Sequence, residues 1–75
     1  MPKYQGHRSW AYWNVSLWIG NDKGLYRLAL ECIHTARSRK EAAQRMYEIL
    51  GVSSHTPDGA KYSVDKIMAA MRGLS

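Results

Sequence analysis

The nitrogen and sulfur ligands available to a transition metal in this chain are His7, His34, His55 and Cys32. Cys32 and His34 lie two residues apart in a segment that reads as helix, roughly 200° apart around its axis, so they cannot reach one ion together. No metal site is expected. No paired carboxylates fall on the predicted buried faces, and no nucleophile, base and orienting acid can be assembled. No glycine-rich loop of the kind that cradles phosphates is present. Cys32 falls on an apolar face and reads as an inert core thiol. Neither an enzyme nor a cofactor site is expected.

Charge offers a different chemistry. Eleven Lys and Arg against six Asp and Glu give a net charge of +5, with a pI near 9.7. Such a balance favours acidic partners without specifying one. Arg37, Arg39 and Lys40 cluster between two predicted helices, and Lys23 and Arg27 would extend the patch if the start of the second helix lay nearby. Together they would neutralise phosphates. Arg37 also falls at a predicted helix C-terminus, where a cation favours the helix dipole with no ligand at all.

A specific DNA-reading motif is not expected. Residues 42–55, AAQRMYEILGVSSH, superficially resemble a helix-turn-helix. However, the small residue expected about four positions before Gly51 is the bulky Tyr47, and Thr56, Pro57, Asp58 and Gly59 interrupt the segment where a recognition helix would run.

Aromatic residues form the remaining constellation. Residues 6–19, GHRSWAYWNVSLWI, hold all three tryptophans of a 75-residue chain with no phenylalanine. On a helix, Trp10, Trp13, Asn14, Leu17 and Trp18 share a sector of roughly 140°, with Tyr12, Val15 and Ile19 largely opposite. A helix apolar nearly all round reads as a central one, so Trp10, Trp13 and Trp18 are expected in the core with the rest of the chain wrapped around them. Asn14, inside the same stripe, should then act as a hydrogen-bond clamp, because an unpaired buried amide costs about 1–3 kcal/mol. His7 and Arg8 precede this helix and can pack over an indole or reach a partner. A core this small is not expected to cover every aromatic, so some of Tyr4, Trp10 and Tyr12 are left open as exposed, and exposed aromatics beside arginine typify interface hot spots. His7, Arg8 and Tyr12 are therefore the candidate partner-binding residues.

Four short helices must position these groups. Ser9 caps the first, which the pattern ends at Ile19 with Gly20 beyond it. The second, over about 22–37, carries Leu25, Leu28, Ala29, Cys32, Ile33 and Ala36 on one face. Ser38 and Glu41 form a capping box for the third. Its Ala42, Met46, Ile49 and Leu50 are expected inward, with Glu41, Arg45 and Glu48 in water, and it ends at Gly51. Residues 52–62 hold the turn signals, with Pro57 fixing φ, Asp58 able to form an Asx-turn and Gly59 free to take positive φ. A short two-stranded turn fits there. Ser63 caps a last helix striped with Val64, Ile67, Met68, Met71 and Leu74.

The expected fold is one small all-α domain over 1–75, a compact bundle of about four helices with an N-terminal arm over 1–8. A core drawn from so short a chain is marginal, so a homodimer stays open. One cysteine excludes an internal disulfide and fits a reducing compartment. No secretory leader or membrane-length apolar run is read, so a cytoplasmic protein without membrane contact is expected.

The stretches GHRSWAYWNVSLWIGNDKGLYRLAL and TPDGAKYSVDKIMAAMRGL resemble a family of short uncharacterised proteins encoded by tailed bacteriophages and prophages. The likeness rests on the order of His7, Arg8, Ser9, Trp10, Trp13, Asn14, Leu17, Trp18, Asn21, Gly24, Leu25 and Tyr26, then Thr56, Pro57, Asp58, Gly59 and Tyr62. Ala11 and Tyr12 stand where the family pattern has an Asn-Ala pair. The resemblance implies a source and a style of action: a non-enzymatic accessory protein of host takeover or anti-defence type, binding a host protein in the host cytoplasm. Nucleic-acid binding through Arg37, Arg39 and Lys40 is the alternative reading, and a virion-associated structural role is a third.

Overall fold

The computed structural model describes residues 9–74, so the arm over 1–8, with the candidate residues His7 and Arg8, lies outside the described residues. Four helices follow in order: α1 (Trp10–Asn21), α2 (Lys23–Thr35), α3 (Arg39–Leu50) and α4 (Val64–Arg72). The domain is a small all-α globule. Each helix packs on its neighbour in the chain, and α4 closes the ring by packing on α1.

Side-chain caps set the helix starts. The hydroxyls of Ser9, Ser38 and Ser63 accept from the backbone N–H of Tyr12, Glu41 and Lys66. Each thereby satisfies one of the donors a helix N-terminus leaves open. The Ser38 box is modified: Glu41 Oε1 accepts from the backbone N–H of Arg37, one residue before the cap, rather than from Ser38 itself. Gly20 does not end the first helix. α1 runs on to Asn21, and Asp22 serves both as its C-terminal cap and as the N-cap of α2, accepting from Leu25 N–H at 3.0 Å. One extended residue between two helices makes a tighter corner than a glycine stop, and α2 accordingly spans less than the 22–37 read from the pattern.

The core differs from the tryptophan-centred expectation. Its buried side chains are Val15 and Ile19 from α1, Ala29 and Cys32 from α2, Ala42, Ala43 and Met46 from α3, Ile67, Ala70 and Met71 from α4, and Ala60 and Tyr62 from the connection. Trp10 is 40% exposed, and Trp13 and Trp18 are only half-buried. α1 therefore faces the core with the side read as secondary, and Trp10 and Leu17 stay exposed on the other side. Small residues explain why: alanines on the facing helices let backbones approach closely, leaving room for Val15 and Ile19 but not for three indoles. Burial also raises the Cys32 thiol above its ordinary pKa, and Glu31 adds to the rise.

In α3, Ile49 is 62% exposed rather than inward, while Ala43, unassigned by the pattern, is fully buried. Gly51 caps this helix with φ of +99°, a conformation that costs any side chain with a Cβ. No helix follows until Val64, so no recognition helix stands after Gly51. Residues 54–62 instead form a hairpin-like excursion with a single antiparallel bridge between His55 and Lys61. At its tip Gly59 N–H donates to Thr56 O at 2.9 Å, a turn with Pro57 second and Gly59 fourth. Gly59 takes φ of +95°.

Candidate functional site

The turn over 56–59 is fastened to α1 by a polar cluster beneath the aromatic face. Thr56 Oγ1 donates to Asn14 Oδ1 at 2.6 Å and accepts from Ala60 N–H at 3.0 Å. Asn14 Nδ2 and Trp18 Nε1 each donate to the same oxygen, Asp58 Oδ2, at 2.9 Å. Among the described residues, Asn14 and Thr56 are the buried polar ones, at 1% and 4% exposure. The amide is thus the expected clamp, and the tie it makes reaches more than forty residues along the chain. Asp58 closes no Asx-turn; its carboxylate lies exposed over α1 instead. The two donated bonds, from Asn14 first and Trp18 second, hold its carboxyl below the ordinary aspartate range.

Helical periodicity orders the outer side of α1. Trp10, Asn14 and Trp18 follow one another at i, i+4 and i+8, about 5–6 Å apart between Cβ atoms. Trp13 and Leu17 lie beside this row, away from Val15 and Ile19. Leu17 is 37% exposed. The result is a strip of partly uncovered indole and leucine surface, edged by one carboxylate and tied to the turn through Asn14 and Trp18. Aromatic side chains carry large contact area at low entropic cost, which suits the strip to docking.

The other candidates are dispersed. Tyr12 is half-buried on a different side of α1. Arg37, Arg39 and Lys40 are all exposed at the α2–α3 corner, and among the described residues none pairs with an acid through its side chain. Lys23 and Arg27 are exposed too, but they stand in the first half of α2, twelve and eight positions before Thr35, about 18 and 12 Å along the helix. They do not extend the patch. Cys32 is buried and His34 exposed, and among the described residues no three His, Cys, Asp or Glu side chains converge.

Two features escaped the sequence pattern. An open groove of about 380 Å³ lies between α2 and α3, lined by Leu28, Cys32 and Ile49 with Glu31, Thr35, Arg45 and Glu48. Arg45 bridges its wall, donating to Thr35 O and pairing with Glu41 at 3.2 Å. The second is the role of Thr56 and Asp58, read only as turn formers; their link to Asn14 and Trp18 joins two stretches far apart in sequence.

A family model described as a family of unknown function, DUF7249, matches residues 1–74. The chain belongs to that family. No curated protein and no solved structure matches it. Within the matched region lie both halves of the polar cluster and the whole aromatic strip. No helix among the described residues is long and apolar enough to cross a membrane.

Proposed function

We propose that the protein is a non-enzymatic binding module, an accessory protein of phage type, whose α1 aromatic strip docks on a host protein. The observation that carries this reading is the orientation of α1. Val15 and Ile19 fill the core, while Trp10 and Leu17 keep 40% and 37% of their surface in water. Tryptophan is the residue type most enriched at the energetic centres of interfaces, and the Asn14, Thr56 and Asp58 cluster fixes the strip before any partner arrives. The motif resemblance to phage-encoded proteins supports the source.

The test is reconstitution from defined components. Tagged protein captures one bacterial protein stoichiometrically after nuclease treatment; that protein, purified, binds the wild-type chain, and Trp10→Glu with Leu17→Glu abolishes the binding while the circular dichroism spectrum is unchanged. Equal binding by the double variant refutes the reading.

A second reading rests on Arg37, Arg39 and Lys40, exposed at one corner with no acid paired to them among the described residues. Nucleic-acid binding through them would show a steep salt dependence, and removing the three cations would reduce the slope of log K against log salt by about 3.

A further inference from the structure

The carboxylate edging the aromatic strip is only partly used. Both hydrogen bonds that Asp58 receives arrive at Oδ2, from Asn14 Nδ2 and Trp18 Nε1. A carboxylate has about four acceptor positions on its two oxygens. Oδ1 receives no hydrogen bond among the described residues, and the side chain is exposed. Both donors are neutral, so the negative charge stays uncompensated, and among the described residues no cation pairs with it. The contrast is with Glu41, whose carboxylate Arg45 occupies at 3.2 Å. In a chain of net charge +5, an acid bonded to the Trp18 indole and left without a cation partner among the described residues is a local inversion of sign.

Its surroundings narrow the ligand. Asn14, on which the carboxylate rests, has Trp10 one helical turn before it and Trp18 one turn after it. Indole faces attract cations within about 6 Å, and a guanidinium can lay its plane on such a face while its N–H groups meet a carboxylate oxygen. The support is rigid, because Asn14 and Thr56 are buried and bonded to each other at 2.6 Å. Resting on the reading of the strip as a protein-docking face, we infer that Asp58 Oδ1, with the indoles of Trp10 and Trp18, receives an arginine side chain of the protein partner.

The test uses the full chain, labelled with ¹⁵N, and N-acetyl-arginine amide as the probe. Titration shifts the Trp18 indole Nε1–H and the Asn14 side-chain amide resonances in a saturable way. N-acetyl-citrulline amide, the same shape without the charge, gives a shift smaller by about threefold or more at equal concentration. Asp58→Asn retains an oxygen that accepts both donated bonds, so its spectrum stays native while the response to arginine is lost. If Asp58→Asn does not keep a native spectrum, Trp10→Leu carries the test, since Trp10 makes none of the cluster's hydrogen bonds; the arginine response then weakens. An equal response to both probes overturns the inference, as does an arginine response that survives these changes. The outcome is separable from that of the docking proposal. A protein complex that depends on Trp10 and Leu17 but shows no arginine-specific shift leaves the strip standing and removes this pocket, whereas an arginine-specific shift without any such complex does the reverse.

Discussion

Replacing Asn14 by alanine is the sharpest perturbation of the link between α1 and the turn. The substitution removes the acceptor of the 2.6 Å bond from Thr56 Oγ1, and that hydroxyl belongs to a residue only 4% exposed. An orphaned buried donor costs about 1–3 kcal/mol, and the small void left by the amide adds to it. Alanine returns up to about 0.7 kcal/mol through its better helix propensity. The lost bond to Asp58 is left out of the sum, because water solvates that exposed carboxylate. The expected net loss is about 2 kcal/mol, which lowers the melting temperature of a domain this size by roughly 8–16 °C. Urea unfolding followed by circular dichroism measures the free energy, with an unchanged m-value showing that both end states are preserved. Thr56→Val removes the same bond from the other side, so the double variant should cost less than the sum of the singles, with a coupling of about 1 kcal/mol. A loss under about 0.5 kcal/mol for Asn14→Ala, or strict additivity with Thr56→Val, refutes the account of this cluster as a structural tie.

Further outcomes follow from the same geometry. Because the Asp58 carboxyl is lowered in the folded chain, the unfolded chain binds the extra proton in the acidic window. Its stabilisation is therefore complete above the ordinary aspartate value of about 3.9 and is lost as pH falls through the lower, folded value. The melting temperature of the wild type should fall more steeply than that of Asp58→Asn across that window; parallel curves contradict the assignment. Ile19→Ala, in the core, should cost about 2–5 kcal/mol in urea unfolding, and Leu17→Ala less than half of what Ile19→Ala costs. Gly59→Ala places a Cβ at φ of +95°, which costs about 1–2 kcal/mol by thermal unfolding and should shift the Trp18 indole resonance as the turn moves. The buried Cys32 thiol, raised in pKa, should react with a maleimide only slowly in the native chain and rapidly in urea.

The helices were legible where local chemistry decides them. Ser38 and Ser63 announce α3 and α4 by their hydroxyls, and α2 and α4 present one clear apolar face each, so Ala29, Cys32, Ile67 and Met71 could be read from spacing, though buried Ala70 lies outside the stripe so read. α1 could not be oriented in this way. With Trp10, Trp13, Leu17 and Trp18 on one side and Val15 and Ile19 on another, its apolar residues surround the axis, and periodicity cannot say which side turns inward. Packing decides instead: Ala29 of α2 and Ala70 of α4 let those helices approach α1 closely, and α1 turns its smaller side to them. Ile49 illustrates the same limit, since its spacing fits the inward face of α3 while Ala43 is the residue buried instead. Asn14 could be predicted to need partners because the cost of a buried amide is local. Naming Thr56 and Asp58 as those partners required the path of the chain between α3 and α4, which no short-range pattern contains. The basic corner shows the complementary point. Arg37, Arg39 and Lys40 are close because they are close in sequence, while Lys23 and Arg27 are held away by the length of a helix.

The central claim is that α1 divides its labour, with Val15 and Ile19 holding the fold and Trp10, Trp13 and Leu17 meeting a protein. The most direct measurement is the affinity of the purified bacterial protein captured by the wild-type chain for Trp10→Glu with Leu17→Glu, read by calorimetry beside the urea stability of the same variant. The account predicts that binding is lost while most of the folding free energy is kept. Binding that survives the double substitution, or that is instead abolished by removing Arg37, Arg39 and Lys40, contradicts it.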